Sequence, residues 1–154
     1  MAFAIFFAIT IILMISFAVT KKNLQLFEIF FMWMVINVIH HNFLTVIALN
    51  LRMFDFGEHP ASYWSLVFIR VFLIPLLIIW YFDITLAEKP YKRWGWLPFG
   101  ILALIGVEYL AEALGVYQHT RWNYWWSIIE WFVIFLLVNY SWIWYRNLLR
   151  KENN

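Results

Sequence analysis

The chain has 154 residues, of which 65% are hydrophobic, 23% aromatic and 13% charged, with a net charge of +2. A soluble domain carries about 25% charged residues and roughly half apolar ones, so a water-soluble globule of this composition would expose more apolar surface than water tolerates. Disorder, collagen and disulfide scaffolds are excluded as well: mean hydropathy is +0.75, there are 5 Gly, and there is no Cys. A small, all-α integral membrane protein remains.

A helix crossing a bilayer needs about 20 predominantly apolar residues. Five stretches qualify, at about 2–20, 24–51, 63–87, 95–117 and 124–145, giving a single transmembrane domain over 1–154 with short connections and no internal repeat. The first has no ionisable side chain, and its Phe and Ile residues fall on every face, as on a lipid-exposed outer helix. Its lysines, Lys21 and Lys22, follow the apolar run instead of preceding it, so it is expected to be a retained anchor and not a cleaved signal peptide. The second span carries Glu28, Asn37, His40, His41 and Asn42, and the third carries Arg70 and Asp83. Pro75 frees one backbone carbonyl a turn earlier and is expected to kink the third helix near Arg70. The fourth span carries Glu108 and Glu112, and the fifth carries Glu130 and Asn139.

Basic residues predict the orientation. Lys21, Lys22, Lys89, Lys92, Arg93, Arg146, Arg150 and Lys151 share one side, and only Arg52 and Arg121 lie on the other. The positive-inside rule then places the N-terminus outside and the C-terminus in the cytoplasm. The excess positive charge is explained by this topology and by anionic headgroups, with no nucleic-acid partner.

A charge at the bilayer centre costs at least about 2.5–3.5 kcal/mol on insertion scales, so the intramembrane polar residues need a reason. Glu28 and Asp83 lie near the cytoplasmic ends and are expected to snorkel to interfacial cations. The rest gather in the outer half: Arg70, Glu112 and Glu130 roughly 8–10 Å from the outer ends, Glu108, His40 and His41 about 14–15 Å. Glu108 and Glu112 project from one face of the fourth helix, flanked by the small residues Ala111 and Gly115. Asn37, His40 and His41 share one side of the second. Three carboxylic acids surround one permanent cation, so Arg70 is expected to bind Glu130 or Glu112.

Asp, Glu and His inside a membrane commonly line proton or ion routes. Glu108, Glu112 and Glu130 form a weak carboxylate set for a divalent ion. His40 and His41 diverge by about 100°, however, and neither the Glu-x-x-His nor the HExxH pattern occurs, so no metal or cofactor is expected. His40 or His41 with Glu108 could form an acid–base pair for lipid-linked chemistry. At the outer rim His59, His119, Arg121, Trp122 and Asn123 could meet a headgroup or partner.

The run Glu108-Tyr-Leu-Ala-Glu-Ala-Leu-Gly-Val-Tyr, then Arg121-Trp122-Asn123, Trp126-Ser127 and a Tyr/Trp-rich last helix ending in Arg146, covers the last third of the chain. It resembles the C-terminal half of a family of short multi-pass membrane proteins from spore-forming Gram-positive bacteria. The resemblance implies a bacterial cytoplasmic membrane and carries no activity with it. The expectation is a five-helix bundle acting as a non-enzymatic accessory or binding protein. Its partners would be the lipid bilayer together with a small polar ligand, a lipid headgroup, a partner helix or a second copy of itself. A proton- or cation-coupled transporter or channel stands second, and a membrane enzyme third.

Overall fold

The computed structural model describes residues 1–46, 54–56, 60–86, 88, 90–119 and 122–152, with backbone alone for 44, 54–56, 90, 91, 119, 150 and 152. The first uncharged run folds as α1 (Ala2–Val19) and stops where Thr20 turns extended, its N–H still bonded to the Ser16 carbonyl. Lys22 folds back over this end, donating to the Phe17 carbonyl and lying against the Phe17 ring. Only Phe6 and Thr10 of α1 are buried, which makes it a peripheral helix.

Helix α2 (Leu26–Thr45) starts in a capping box: the Gln25 side chain accepts the Glu28 N–H, and Glu28 Oε2 accepts the Gln25 N–H at 2.9 Å. The third rod begins as α3 (Pro60–Phe68), passes through a π turn (Ile69–Leu73) and continues as α4 (Ile74–Thr85). Pro75 explains the irregularity. It has no N–H for the Val71 carbonyl, and the ladder slips so that the Ile74 N–H reaches the Ile69 carbonyl five residues back. The Val71 carbonyl is met instead by the indole N–H of Trp33 at 3.0 Å. Trp33→Phe is therefore expected to cost about 1 kcal/mol in detergent unfolding. The same change in a Pro75→Ala background, where a backbone donor is restored, should be near neutral. An equal cost in both backgrounds would show that the indole stabilises by packing alone.

Helix α5 (Pro90–Ala113) ends in a Schellman turn. Gly115, at φ 68°, and Val116 donate their N–H groups to the carbonyls of Glu112 and Ala111, each at 2.9 Å, and Val116 is fully buried beneath. The chain then enters β2 (Tyr117–His119), which pairs antiparallel with β1 (Phe54–Phe56) in the register Phe54 with His119, Asp55 with Gln118 and Phe56 with Tyr117. This ribbon was not expected from the sequence. It ties the second and fourth inter-helix connections together at one end of the bundle, here called the ribbon end. Helix α6 (Tyr124–Glu152) completes the fold.

Among the described residues five helices are thus long and apolar enough to cross a membrane: α1, α2, the α3–π–α4 rod, α5 and α6. Their limits differ from expectation in physical ways. The fourth runs 90–113 instead of 95–117, because proline is tolerated in a first turn and Gly115 stops the helix. The fifth continues to 152, since a polar tail keeps its backbone bonds after the apolar run ends. Residues 47–51, expected in the second span, lie outside the described residues. Helix α2 lies against α6 and α4, and α5 bridges α4 and α6. Gly100 permits that bridge: a Cβ there would sit 3.0 Å from the Phe135 ring and 3.1 Å from Tyr81. Met32, Ile36, Leu73, Ile78, Phe82, Leu104, Trp131, Ile134, Phe135 and Val138 make the core.

Candidate functional site

Polar side chains enter the bundle in two separate layers. At the ribbon end four rods contribute to one cavity of about 40 Å³. The buried stripe of α2, Met32 and Ile36, continues one turn later in His40. The π turn supplies Arg70, α5 supplies Glu108 and Ala111, and α6 supplies Glu130 and Trp131. Tyr117 reaches in from β2, and Leu66, Ile69, Ile74 and Val107 complete apolar walls. A π turn shifts side chains off the register of a continuous α-helix, and such turns occur frequently at functional sites; here it carries Arg70 into the cavity lining.

Within the cavity His40 Nδ1 is 3.6 Å from Glu130 Oε1, beyond hydrogen-bond distance, with both side chains almost fully buried. The His40 ring stacks on Trp131 at 5.0 Å between centroids. The Trp131 indole N–H donates to Glu108 Oε1 at 2.8 Å, and the Tyr117 hydroxyl donates to the Glu108 carbonyl at 3.4 Å. Burial first, and then the carboxylates of Glu108 and Glu112, push the Tyr117 phenol well up, so it keeps its proton and remains a donor. On the cavity walls His40 Nδ1 and Nε2, Arg70 Nε and Glu130 Oε1 are buried with no hydrogen-bond partner among the described residues. Each such group costs about 1–3 kcal/mol of desolvation.

The sequence-predicted cluster is therefore brought together only in part. His40, Arg70, Glu108 and Glu130 meet as expected. His41 does not: it lies on the exposed side of α2, about 100° around the helix from its neighbour. Asn37 donates to the Trp33 carbonyl of its own helix at 2.9 Å and does not line the cavity. Glu112 accepts from the exposed Tyr124 hydroxyl at 2.6 Å, beside the cavity and outside its lining. The expected pairing of Arg70 with Glu130 or Glu112 is not formed among the described residues, where the short contact of Glu130 is with His40. Glu108, Glu112 and Glu130 do not converge as ligands, and among the described residues no three His, Asp or Glu side chains do.

At the rim, Trp122 donates to the fully buried Ser127 hydroxyl at 2.8 Å, and Asn123 is exposed. His119 contributes its backbone to the ribbon, while His59 and Arg121 lie outside the described residues. Sequence reasoning missed Trp131 and Tyr117. The signal for Trp131 was present: it belongs to the stripe Ser127, Glu130, Trp131, Ile134, Val138 on α6. Tyr117 could not be found that way, because it reaches the cavity from a strand.

The second layer lies at the opposite, basic end. Glu28 and Asp83 were expected to snorkel outward, yet each is only 1% exposed. Asp83 Oδ1 accepts the backbone N–H groups of Asn23 and Leu24 at 2.8 and 2.9 Å, which pins the α1–α2 turn to α4. Glu28 Oε1 accepts the Trp142 indole N–H at 3.2 Å and lies 3.6 Å from Arg146 Nε. A buried carboxylate finds nearby backbone and indole donors at less cost than stretching to water, which is why neither side chain snorkels. Arg93 donates to Asn139 Oδ1 at 2.8 Å.

Between the two layers the buried residues of α2 and α6 are hydrophobic, and the half-buried Trp33 and Asn37 spend their N–H groups on backbone carbonyls. From His40 to Glu28 along α2, and from Glu130 to Trp142 along α6, is about 18 Å at helical rise. The buried residues of that interval are Ile36 and Met32 on one helix and Trp131, Ile134, Phe135 and Val138 on the other. Compared with known protein families, curated proteins and solved structures, the chain finds no match.

Proposed function

We propose that this chain is a five-span protein of the bacterial cytoplasmic membrane, N-terminus outside, which binds a small polar group in the His40–Arg70–Glu130 pocket and is not an enzyme. The orientation rests on the eight basic residues that the connections and the C-terminal tail carry to one end. The bacterial location rests on the resemblance of the last third of the chain. The binding role rests on one observation: imidazole nitrogens, a guanidinium nitrogen and a carboxylate oxygen are buried around one cavity with no hydrogen-bond partner among the described residues. A folded chain retains unsatisfied buried groups where function needs them. The group that satisfies them carries both donors and acceptors, since Arg70 Nε only donates, a carboxylate oxygen accepts and a neutral imidazole does one of each.

A through-going ion route is disfavoured by the apolar interval that separates the pocket from the basic-end network. Hydrolytic chemistry is disfavoured because the buried serines are engaged, Ser127 as acceptor for Trp122 and Ser65 as donor to the Ala61 carbonyl at 2.6 Å.

The absence of cysteine makes the test clean. Ala111→Cys on the pocket wall should react with a small charged methanethiosulfonate reagent added outside vesicles and not with reagent confined inside. Ile36→Cys, in the apolar interval, should react from neither side. An Ala111→Cys protein inert from both sides would make the cluster a sealed structural network. Labelling from the cytoplasmic side would overturn the orientation or favour transport.

A further inference from the structure

Basic side chains outnumber acidic ones at the basic end, and Arg93 is a half-buried guanidinium among those left without a carboxylate. Every acidic side chain described there is engaged: Asp83 by the Asn23 and Leu24 backbone, Glu28 by Trp142, Gln25 and Arg146, and Glu88 by Lys92 at 3.7 Å. Arg93 has no carboxylate partner among the described residues. It is nevertheless held firmly. Its guanidinium lies 4.9 Å from the Phe82 ring centroid and 5.0 Å from that of Trp142, and its Nη2 donates to the neutral Asn139 amide. Its backbone carbonyl is fixed by the Tyr81 hydroxyl at 2.9 Å. Arg146 lies 5.1 Å from the same Trp142 ring, so a second cation stands near the first.

A guanidinium has five N–H donors in a planar fork that matches phosphate oxygens. The two aromatic faces and Asn139 use its surfaces and one donor, which leaves a pre-oriented cation in search of an anion. Beside it, Trp94 and Trp96 are about half exposed, and Phe99 and Leu102 continue the same helix as an exposed apolar face. Tryptophans of this kind sit at headgroup level in membrane proteins, and the apolar face below them suits acyl chains.

We propose that Arg93 holds the phosphodiester of a membrane phospholipid, with Arg146 adding to the attraction. The site rests on the membrane part of the functional reading alone and is independent of the pocket at the other end. Asn139 is a positioning residue: it orients the fork without neutralising it.

The test is retention of phosphatidylglycerol by the purified chain in detergent, read by native mass spectrometry against diacylglycerol of the same acyl chains. Phosphatidylglycerol should be retained and diacylglycerol lost. Arg93→Gln should lower retention about tenfold, the worth of one charge-assisted hydrogen bond. Asn139→Asp should lower it by a similar factor while keeping the side-chain shape, because it supplies the missing carboxylate from within. Lys92→Gln, which removes an exposed cation paired with Glu88, should change little. Wild-type retention by Asn139→Asp, or by folded Arg93→Gln, overturns the proposal. So does equal retention of diacylglycerol. Displacement of the lipid by inorganic phosphate, with phosphate itself retained, would assign the site to a free anion and overturn the phospholipid.

Discussion

Glu28→Ala is expected to lower the stability of the bundle by about 3 kcal/mol, with SDS unfolding in mixed micelles as the measurement. Three losses combine. The capping box at the start of α2 goes, worth about 1 kcal/mol. The Trp142 indole N–H loses its acceptor in a buried position, at about 1–3 kcal/mol. The Arg146 contribution is smaller, about 0–1 kcal/mol, because that side chain is 36% exposed and can turn to water. Glu28→Gln, which preserves an acceptor for Trp142 and a cap, should recover more than half of the loss. If Glu28→Ala costs less than about 1 kcal/mol, the basic end is not the clamp described here. Asp83 acts beside it by taking two backbone N–H groups of the preceding turn, so the α1–α2 turn is held by two buried carboxylates.

The opposite sign is expected at the ribbon end. The triple variant His40→Leu, Arg70→Met and Glu130→Leu should be more stable than the natural chain by about 1–4 kcal/mol, as for other buried ionic groups replaced by apolar side chains of similar size. The reason is local. His40 and Glu130 stand 3.6 Å apart without a hydrogen bond, and the buried Arg70 Nε has no acceptor, so these groups bear desolvation without the bonds that would offset it. Glu130→Leu alone should be destabilising, since it removes a carboxylate that acts on the half-buried Arg70 guanidinium and leaves that charge behind. The triple variant should also lose reaction at Ala111→Cys from outside, its pocket filled and dried. A triple variant less stable than the natural chain would mean that the cluster holds the helices together, and the binding reading would fail with it. The contrast between the two ends fits a division of labour in which the buried carboxylates of one end are bonded and the other end carries a stability cost for a site.

Much of this molecule was legible before any coordinates. Five apolar runs of spanning length sort themselves from short polar turns because hydrophobicity is local and additive, and the basic residues sort to one end for the same reason. The layer of the polar cluster was legible too, since helical rise converts position into distance, and that arithmetic grouped His40, His41, Arg70, Glu108, Glu112 and Glu130, of which His41 and Glu112 do not line the cavity. Face was less secure. His40 and His41 are neighbours in sequence and nearly equal in depth, and only the packing of α2 against α6 decided that the first is buried against Trp131 and the second exposed.

Sequence by itself thus determined the helical class, the number of long apolar helices and the layer in which polar groups meet. Tertiary structure decided which of them face one another, because pairing depends on helix rotation and on elements distant in the chain. Tyr117 reaches the pocket through a strand pairing between two connections far apart in sequence. The Val71 carbonyl freed by Pro75 is met by an indole 38 residues earlier, and Glu28 is met by one 114 residues later. Local composition carries no record of such partners. They arise when apolar packing brings helices together and buried donors and acceptors must then find one another in the space that remains.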